Sequence, residues 1–274
     1  MLKYGINENI ATLLANDLIK KDVKRHLLFM ERHKIKIISI QDKLYPTLLK
    51  TIYGAPIVIY IRGDEKILND PCLAIVGCRK ASIYGKKVAK DFAYNLSKDG
   101  FTIVSGLAKG IDSCAHIGTI EARRKTIAVL GNGLDTIYPK ENLKLSEKIL
   151  EYGGAIISEY PLGTEPKKEN FPARNRIISG LSNGILVIEA KEKSGTLITT
   201  DYALEQGRDV FVIPGNIDSE NSFGTNELIK QGAKLVTNCE EIVEEYQLGT
   251  DLFWYFSQMG TIFSGNFKKN LVKI

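Results

Sequence analysis

Short apolar runs rich in β-branched residues recur from Leu73 onward, and nearly every run ends in Gly, Ser or Pro. Strands with this uniformly apolar pattern are buried on both faces of a sheet. The segments between them, of about a dozen residues, have the length of crossover helices. The pattern therefore predicts an α/β fold with a doubly wound, mostly parallel sheet. The runs lie at residues 73–77, 101–106, 126–131, 155–161, 184–190 and 209–215, with a weaker one at 233–236.

The pattern changes at both ends of the chain. Amphipathic periodicity predicts two helices, Glu8–Lys20 and Asp22–His33, so we interpret residues 1–65 as a small, mostly helical N-terminal module with a lead-in. Residues 66–245 hold the apolar runs, and a hydrophobic share of 44% over 274 residues supports a large buried core for this main domain. Residues 246–274 form a short aromatic-rich tail, which is too short for a core of its own.

Composition limits the classes of function. The chain has 37 Lys and Arg against 32 Asp and Glu, a net charge of only +5, so any preference for anionic partners must come from local clustering. The four cysteines form no Cys-x-x-Cys pair and the N-terminus has no signal-peptide run, which predicts a reduced, cytoplasmic setting. No apolar stretch reaches the ~18 residues that span a bilayer, and the three histidines lack metal-site spacing. We therefore predict no membrane association and no metal ion.

The loops that follow the predicted strands all contain glycine. In an open parallel sheet, ligands bind outside the carboxyl ends of the strands, where glycine lets backbone approach an anion closely. Tight strand-to-helix turns need glycine for the same reason, so no single loop is diagnostic. The nucleotide fingerprints fail, because "GNGLDT" lacks the third glycine of G-x-G-x-x-G and "GCRKAS" lacks the second. We predict no nucleotide cofactor.

Cations and aromatic rings are interleaved in these loops. Five cations and no acidic residue lie between Arg79 and Lys90. This combination is typical of single-stranded nucleic acid binding, in which cations meet phosphates and rings stack on unpaired bases. A solvated helix face explains some of the charge equally well, and Arg174 and Arg176 could instead pair with an acidic neighbour. The further cations are Lys109, Lys167, Lys168, Arg174 and Arg176; the rings are Tyr84, Tyr160 and Phe171; the acids are Glu159, Glu165 and Glu189.

Catalytic groups do not form a recognisable set. Asp112 and His116 stand four residues apart on a predicted helix, but an N-cap role for Asp112 and a surface position for His116 explain them more simply. Ser105 and Ser194 are not in a G-x-S-x-G elbow. We predict no catalytic residue and interpret the chain as a non-enzymatic protein.

Six motifs occur in a fixed order along the chain: "VSGLAKGIDSCAH", "TIAVLGNGLDTIYP", "ISEYPLGTEP", "NFPARNRIISGLS", "EAKEKSGTLITTDYALEQGRDVFVIPG" and "GTNELIKQGA". Together they resemble the DNA-processing protein A family (DprA, also called Smf) over about residues 45–236. The resemblance implies an extended Rossmann-like domain that dimerises and binds single-stranded DNA without sequence preference. It also implies protection of incoming DNA in natural transformation and loading of the RecA recombinase onto strands coated by single-strand-binding protein.

The resemblance also implies which residues contact DNA. Arg79 would contact a phosphate, and Phe171 would offer its ring to a base. Arg174 and Arg176 would line or brace the same pocket. The remaining implied contacts come from Ser105, Gly106, Lys109 and Lys168.

The chain departs from the family pattern at two places. Cys78 in "GCR" stands where members often have Ser or Thr, so a hydroxyl donor is replaced by a thiol. The aromatic tail does not match the C-terminal winged-helix domain that many members carry.

Two alternatives remain at this point. The first is a nucleotide-binding or nucleotide N-glycosidase enzyme of the phosphoribohydrolase type. Phosphoribohydrolases share a Rossmann-like core with a P-G-G-x-G-T-x-x-E motif, but here Thr199 stands where the motif has its glutamate, three residues after Thr196, and the first acid is Asp201. The other alternative is a partner-binding remnant without DNA affinity.

Overall fold

The computed structural model describes residues 23–247 of the chain. Its centre is one nine-stranded sheet with the order β1-β2-β6-β5-β4-β3-β7-β8-β9. The pairs β1/β2 and β2/β6 are antiparallel, and all others are parallel. The strands are β1 Ile35–Ser39, β2 Val58–Gly63, β3 Cys72–Val76, β4 Thr102–Ser105, β5 Thr126–Val129, β6 Ala155–Ser158, β7 Gly184–Val187, β8 Asp209–Val212 and β9 Lys234–Leu235.

Nine α-helices of the described range flank the sheet, with short 3-10 turns at Glu65–Asn69, Lys140–Asn142 and Glu220–Ser222. Each parallel connection of the main domain carries a helix, as the spacing between the apolar runs predicted. The helices are α1 Val23–Arg32, α2 Thr47–Lys50, α3 Ile83–Lys98, α4 Ile111–Glu121, α5 Leu143–Glu151, α6 Asn170–Gly180, α7 Gly195–Glu205, α8 Phe223–Lys230 and α9 Glu240–Gln247.

Alternate residues of the central strands point into two separate apolar layers. On β3, Leu73 and Ile75 pack with α3 and α4, whereas Ala74 and Val76 face the layer that contains Ile177 of α6. All five residues of β3 are buried, which explains why its sequence is apolar without alternation. The fold is the doubly wound, mostly parallel α/β sheet predicted from the sequence, and all seven predicted strands are present.

The N-terminal region contributes to the same sheet. Helix α1 lies where the periodicity of Asp22–His33 predicted it, but β1 and β2 extend the sheet as antiparallel strands. Residues 35–63 therefore share the core of the main domain, although the sequence pattern grouped them with the helical module of residues 1–65. The predicted helix Glu8–Lys20 and the tail from residue 248 onward lie outside the described residues.

The strand order reverses between β3 and β7. From β3 the chain proceeds through β4 and β5 to β6 on one side, and then β7, β8 and β9 continue on the other. Such a reversal opens a crevice at the carboxyl ends of the two central strands. Among the described helices, none combines the length and apolar character needed to cross a bilayer.

Candidate nucleic-acid interface

The loops at the carboxyl ends of β3 to β8, with the first turn of the helix that follows each, form one surface that we call the rim. The predicted site residues come together here from three parts of the chain, because parallel strands end at the same edge of the sheet. The residues separate by depth into an exposed set and a buried set. The rim loops are residues 77–82, 106–110, 130–142, 159–169, 188–194 and 213–222.

Phe171 is half-buried and contacts exposed residues of the rim. The guanidinium carbon of Arg79 is 5.4 Å from its ring centroid, a cation–π distance. The ring of Tyr138 lies 5.5 Å from that of Phe171 at an interplanar angle of 32°, and Tyr138 is 42% exposed. A side chain at Gly131 would come within 2.9 Å of the Phe171 ring, so the glycine makes room for it. A cation and two rings are thus held together at the surface.

Arg79 and Lys168 are exposed, and neither forms an ion pair with another residue in the range 23–247. Lys109 is also exposed, but its Nζ lies 2.5 Å from Oε1 of Glu141. An exposed pair of this kind is weak, so a phosphate could replace the glutamate at little cost. We call Arg79, Tyr138, Lys168 and Phe171 the outer rim.

Arg174 lies beneath the ring of Phe171 and is 4% exposed. Its guanidinium donates hydrogen bonds to the carbonyl oxygens of Gly106, at 2.8 Å, and Val129. Burial lowers the pKa of Arg174 to about 10, an effect opposed by the Asp112 carboxylate, so the group is charged at neutral pH. Arg174 therefore braces the ends of β4 and β5 from below.

Ser105 and Gly106 are engaged within the protein. The Ser105 hydroxyl donates to the carbonyl oxygen of Ile75 at 2.7 Å, and the Gly106 N–H donates to Oδ2 of Asp112 at 3.2 Å. With the Gly106 carbonyl bound to Arg174, these hydrogen-bonding groups are already in use. Both residues are buried, and the DNA contacts that the resemblance implied for them stay a prediction. We call Ser105, Gly106, Asp112 and Arg174 the inner layer.

Arg176 resolves one of the alternatives that the sequence left open. It forms a two-pronged ion pair with Glu159, with N–O distances of 2.7 and 2.5 Å, and donates to the carbonyl oxygen of Gly54 at 3.0 Å. The hydrogen bonds that Arg176 donates to Glu159 raise the pKa of Arg176. Of the acids considered, Glu159 is the partner, and the guanidinium ties α6 to the N-terminal region.

The interpretations of Asp112 and His116 need correction. Gly110, not Asp112, is the N-cap of α4, and the Asp112 carboxylate is buried beside Arg174; burial raises its pKa. His116 is fully buried, and its Nδ1 lies 2.8 Å from the Thr126 hydroxyl. Burial, with a smaller contribution from Arg174, lowers the pKa of His116 to about 3, so the ring is neutral at physiological pH. Neither residue faces the rim surface.

Sequence reasoning missed Tyr138 as the partner of Phe171. The signal available was an aromatic residue in "GLDTIYP", directly after a predicted strand. Elsewhere, a cavity of about 290 Å³ opens between α7, α8 and β9, beside Arg208 and Asp209, and shares no residue with the rim. Within the described residues there is no cluster of His, Cys, Asp and Glu that could hold a metal ion.

Fold and rim together define a Rossmann-like α/β protein with a cationic, aromatic surface at the carboxyl ends of its strands. The chain belongs to the DNA recombination-mediator protein A family, whose model matches residues 36–247. It is 45% identical over 235 residues to the protein Smf of Escherichia coli K12, a match that covers 86% of this chain and 62% of that protein. The chain thus spans less than two thirds of that relative's length.

Two solved structures are similar in fold and sequence. The X-ray structure of DNA processing protein A from Streptococcus pneumoniae aligns with a TM-score of 0.74 and 44% identity, over 80% of this chain and 77% of that one. DNA processing protein A from Helicobacter pylori, studied for its single-stranded DNA binding mode, aligns with a TM-score of 0.71 and 31% identity. That alignment covers 78% of this chain and 96% of the H. pylori chain.

Proposed function

We propose that the outer rim binds single-stranded DNA without sequence preference. The observation that carries the proposal is the guanidinium of Arg79 over the ring of Phe171, with no acidic partner among the described residues. The cation suits a phosphate, and the adjacent rings of Phe171 and Tyr138 offer faces on which any base can stack. The single-stranded DNA binding studied in the H. pylori relative supports the same assignment.

The strand would contact the outer rim and not the inner layer. Arg174, Ser105 and Gly106 have their polar groups bound within the protein, so they hold the platform in place. Arg176 acts similarly through Glu159. Lys109 would join the contact by exchanging Glu141 for a phosphate. The protein's contribution is thus a fixed surface, and we propose no chemical step and no cofactor.

A titration of the wild-type chain tests this proposal directly. Fluorescence anisotropy with a labelled oligo-dT should show saturable binding that weakens as salt rises. Unlabelled mixed-sequence single strands should compete about as well as oligo-dT, whereas a duplex of equal length should compete poorly, because its bases cannot reach the rings. Absence of saturable binding would favour the partner-binding alternative, and equal competition by duplex would contradict stacking on Phe171.

We also propose that the chain acts as a recombination mediator in natural transformation. In this role it would be a cytoplasmic homodimer that protects incoming DNA and loads the RecA recombinase onto strands coated by single-strand-binding protein. Family membership supports the proposal. The expected outcome is that the chain shortens the lag before RecA hydrolyses ATP on coated single strands, and sedimentation should give twice the chain mass. An unchanged lag would contradict the loading role.

A further inference from the structure

Glu189 occupies the crevice where the strand order reverses. It follows β7, and its backbone carbonyl accepts a hydrogen bond from Cys78 after β3, at 2.9 Å. Its side chain is 4% exposed and turns towards the first turn of α3. In open parallel sheets this is the position at which a ligand phosphate binds, at the amino end of the helix after the central strand.

The carboxylate of Glu189 takes the hydrogen bonds that a phosphate would need there. Oε2 accepts from the backbone N–H of Ser82 at 3.0 Å and from Nδ2 of Asn221 at 3.1 Å. Oε1 accepts from the Ser82 hydroxyl. Ser82 is the N-cap of α3, so the carboxylate also lies at the positive end of the helix dipole.

Gly85 shows how closely the carboxylate packs. A side chain at Gly85 would come within 2.4 Å of the carboxyl carbon of Glu189, so the first turn of α3 accepts the carboxylate only with glycine here. Gly85 is followed by Lys86 and Lys87, without the Ser or Thr and the preceding glycine of a phosphate loop. Here the anion that the glycine admits comes from the protein itself.

We propose that Glu189 is a built-in anion that fills the phosphate position of the crevice and excludes free nucleotides from it. A nucleotide phosphate would have to displace a buried carboxylate from its donors or approach a charge of the same sign in a region of low dielectric. Arg79, in the loop after β3, is then an exposed cation that is left for an anionic partner. The inference concerns nucleotide exclusion and stands apart from the single-stranded DNA proposal.

The test removes the Glu189 carboxylate by substitution and adds inorganic phosphate in solution. Glu189→Ala should unfold more readily than the wild type, because Ser82 and Asn221 lose a buried acceptor. Inorganic phosphate at ~50 mM should raise its Tm by on the order of 5 °C relative to chloride of equal ionic strength, and that of the wild type by less than about 1 °C. Glu192→Ala is the matched control, because Glu192 is exposed in the same loop and its loss changes the net charge equally.

The proposal is overturned if folded Glu189→Ala gains no more from phosphate than Glu192→Ala does. If Glu189→Ala does not fold, calorimetric titration of ADP and of pyrophosphate into the Arg79→Ala chain decides the question. That chain retains Glu189 and lacks the exposed Arg79, so we expect no saturable binding. Saturable binding of either ligand would show that the crevice is open to phosphates. These experiments contain no DNA, so their failure is distinguishable from failure of the proposed function.

Discussion

The outer rim and the inner layer carry similar groups at different depths. Arg79 of the outer rim is exposed and has no ion-pair partner among the described residues, whereas Arg174 of the inner layer is buried and bound to two backbone carbonyls. Both guanidinium groups lie within 6 Å of the Phe171 ring centroid, at 5.4 and 5.9 Å. One side chain is available to a ligand and the other is used by the fold. The residue type therefore does not show whether an arginine can contact a ligand or supports the fold, whereas its depth of burial does.

The largest expected effect is the loss of stability in Arg174→Ala. This change leaves the buried carbonyls of Gly106 and Val129 without their donor and removes the positive charge beside the buried Asp112 carboxylate, which should cost about 3 kcal/mol or more of the free energy of unfolding. Urea denaturation followed by circular dichroism measures it. Arg79→Ala should change the free energy of unfolding by less than ~0.5 kcal/mol. Equal stability of the two variants would remove the distinction between the layers.

Phe171→Leu should weaken single-stranded DNA binding while the fold persists. Leucine keeps an apolar side chain against Gly131 but has no ring face, and a base–aromatic stack is worth ~1–3 kcal/mol per base. We expect about a tenfold loss of affinity for oligo-dT in the anisotropy titration. Phe171→Tyr, which retains the ring, should keep most of the affinity. Wild-type affinity in the leucine variant would show that Phe171 is structural only.

His116, which is fully buried on α4, should make the stability of the fold depend on pH. Its pKa is about 3 in the folded chain and 6.5 in the reference state, so between these values the unfolded chain binds the extra proton. The stability that comes from the neutral, buried His116 is fully present above pH ~6.5 and is lost as the pH falls towards 3. Its slope reaches ~1.4 kcal/mol per pH unit.

Urea denaturation of the wild type and His116→Gln between pH 6.5 and 4.5 measures this difference in slope. The variant should lose less stability per pH unit than the wild type. Equal slopes would mean that His116 is protonated or accessible in the folded chain.

A smaller gain in affinity is expected for Glu141→Gln. Removing the exposed carboxylate frees Lys109 for a phosphate, and exposed pairs of this kind are weak. Affinity for oligo-dT should therefore rise by a few-fold at most. Glu227→Gln, which breaks the Glu227–Lys230 pair on α8, makes the same charge change away from the rim and should leave affinity unchanged. A gain of the same size in both variants would indicate net charge alone.

The sheet was predictable because its strands are buried on both faces, so their composition is apolar without interruption. It was not predictable that β1 and β2 belong to this sheet. The antiparallel pairing of β2 with β6 joins segments about a hundred residues apart, and no local pattern encodes their register. The position of Arg79 on the rim was predictable, because the residue lies in the loop directly after a predicted strand. The burial of Arg174 and His116 was not predictable, because it depends on partners such as Val129 and Thr126, which are distant in sequence.

The sequence "FPARNR" also does not show how deeply each of its two arginines is buried. Positions 174 and 176 stand two residues apart on a helix and so point in different directions. That spacing shows that the two arginines do not share a face. Which of the two arginines enters the core depends on the fold around α6. Which acidic residue pairs with Arg176 depends on where β6 ends.

The salt dependence of Arg79→Ala tests the central claim most directly. Oligo-dT affinity should be measured by anisotropy at several salt concentrations for the wild type, Arg79→Ala and Lys98→Ala. Lys98 lies over Tyr94 at the far end of α3 and is a matched cation–π control. We predict that Arg79→Ala lowers the salt slope by ~0.7 and weakens binding to all sequences alike, while Lys98→Ala keeps the wild-type slope. An unchanged slope in Arg79→Ala would contradict the assignment of the outer rim as the DNA contact.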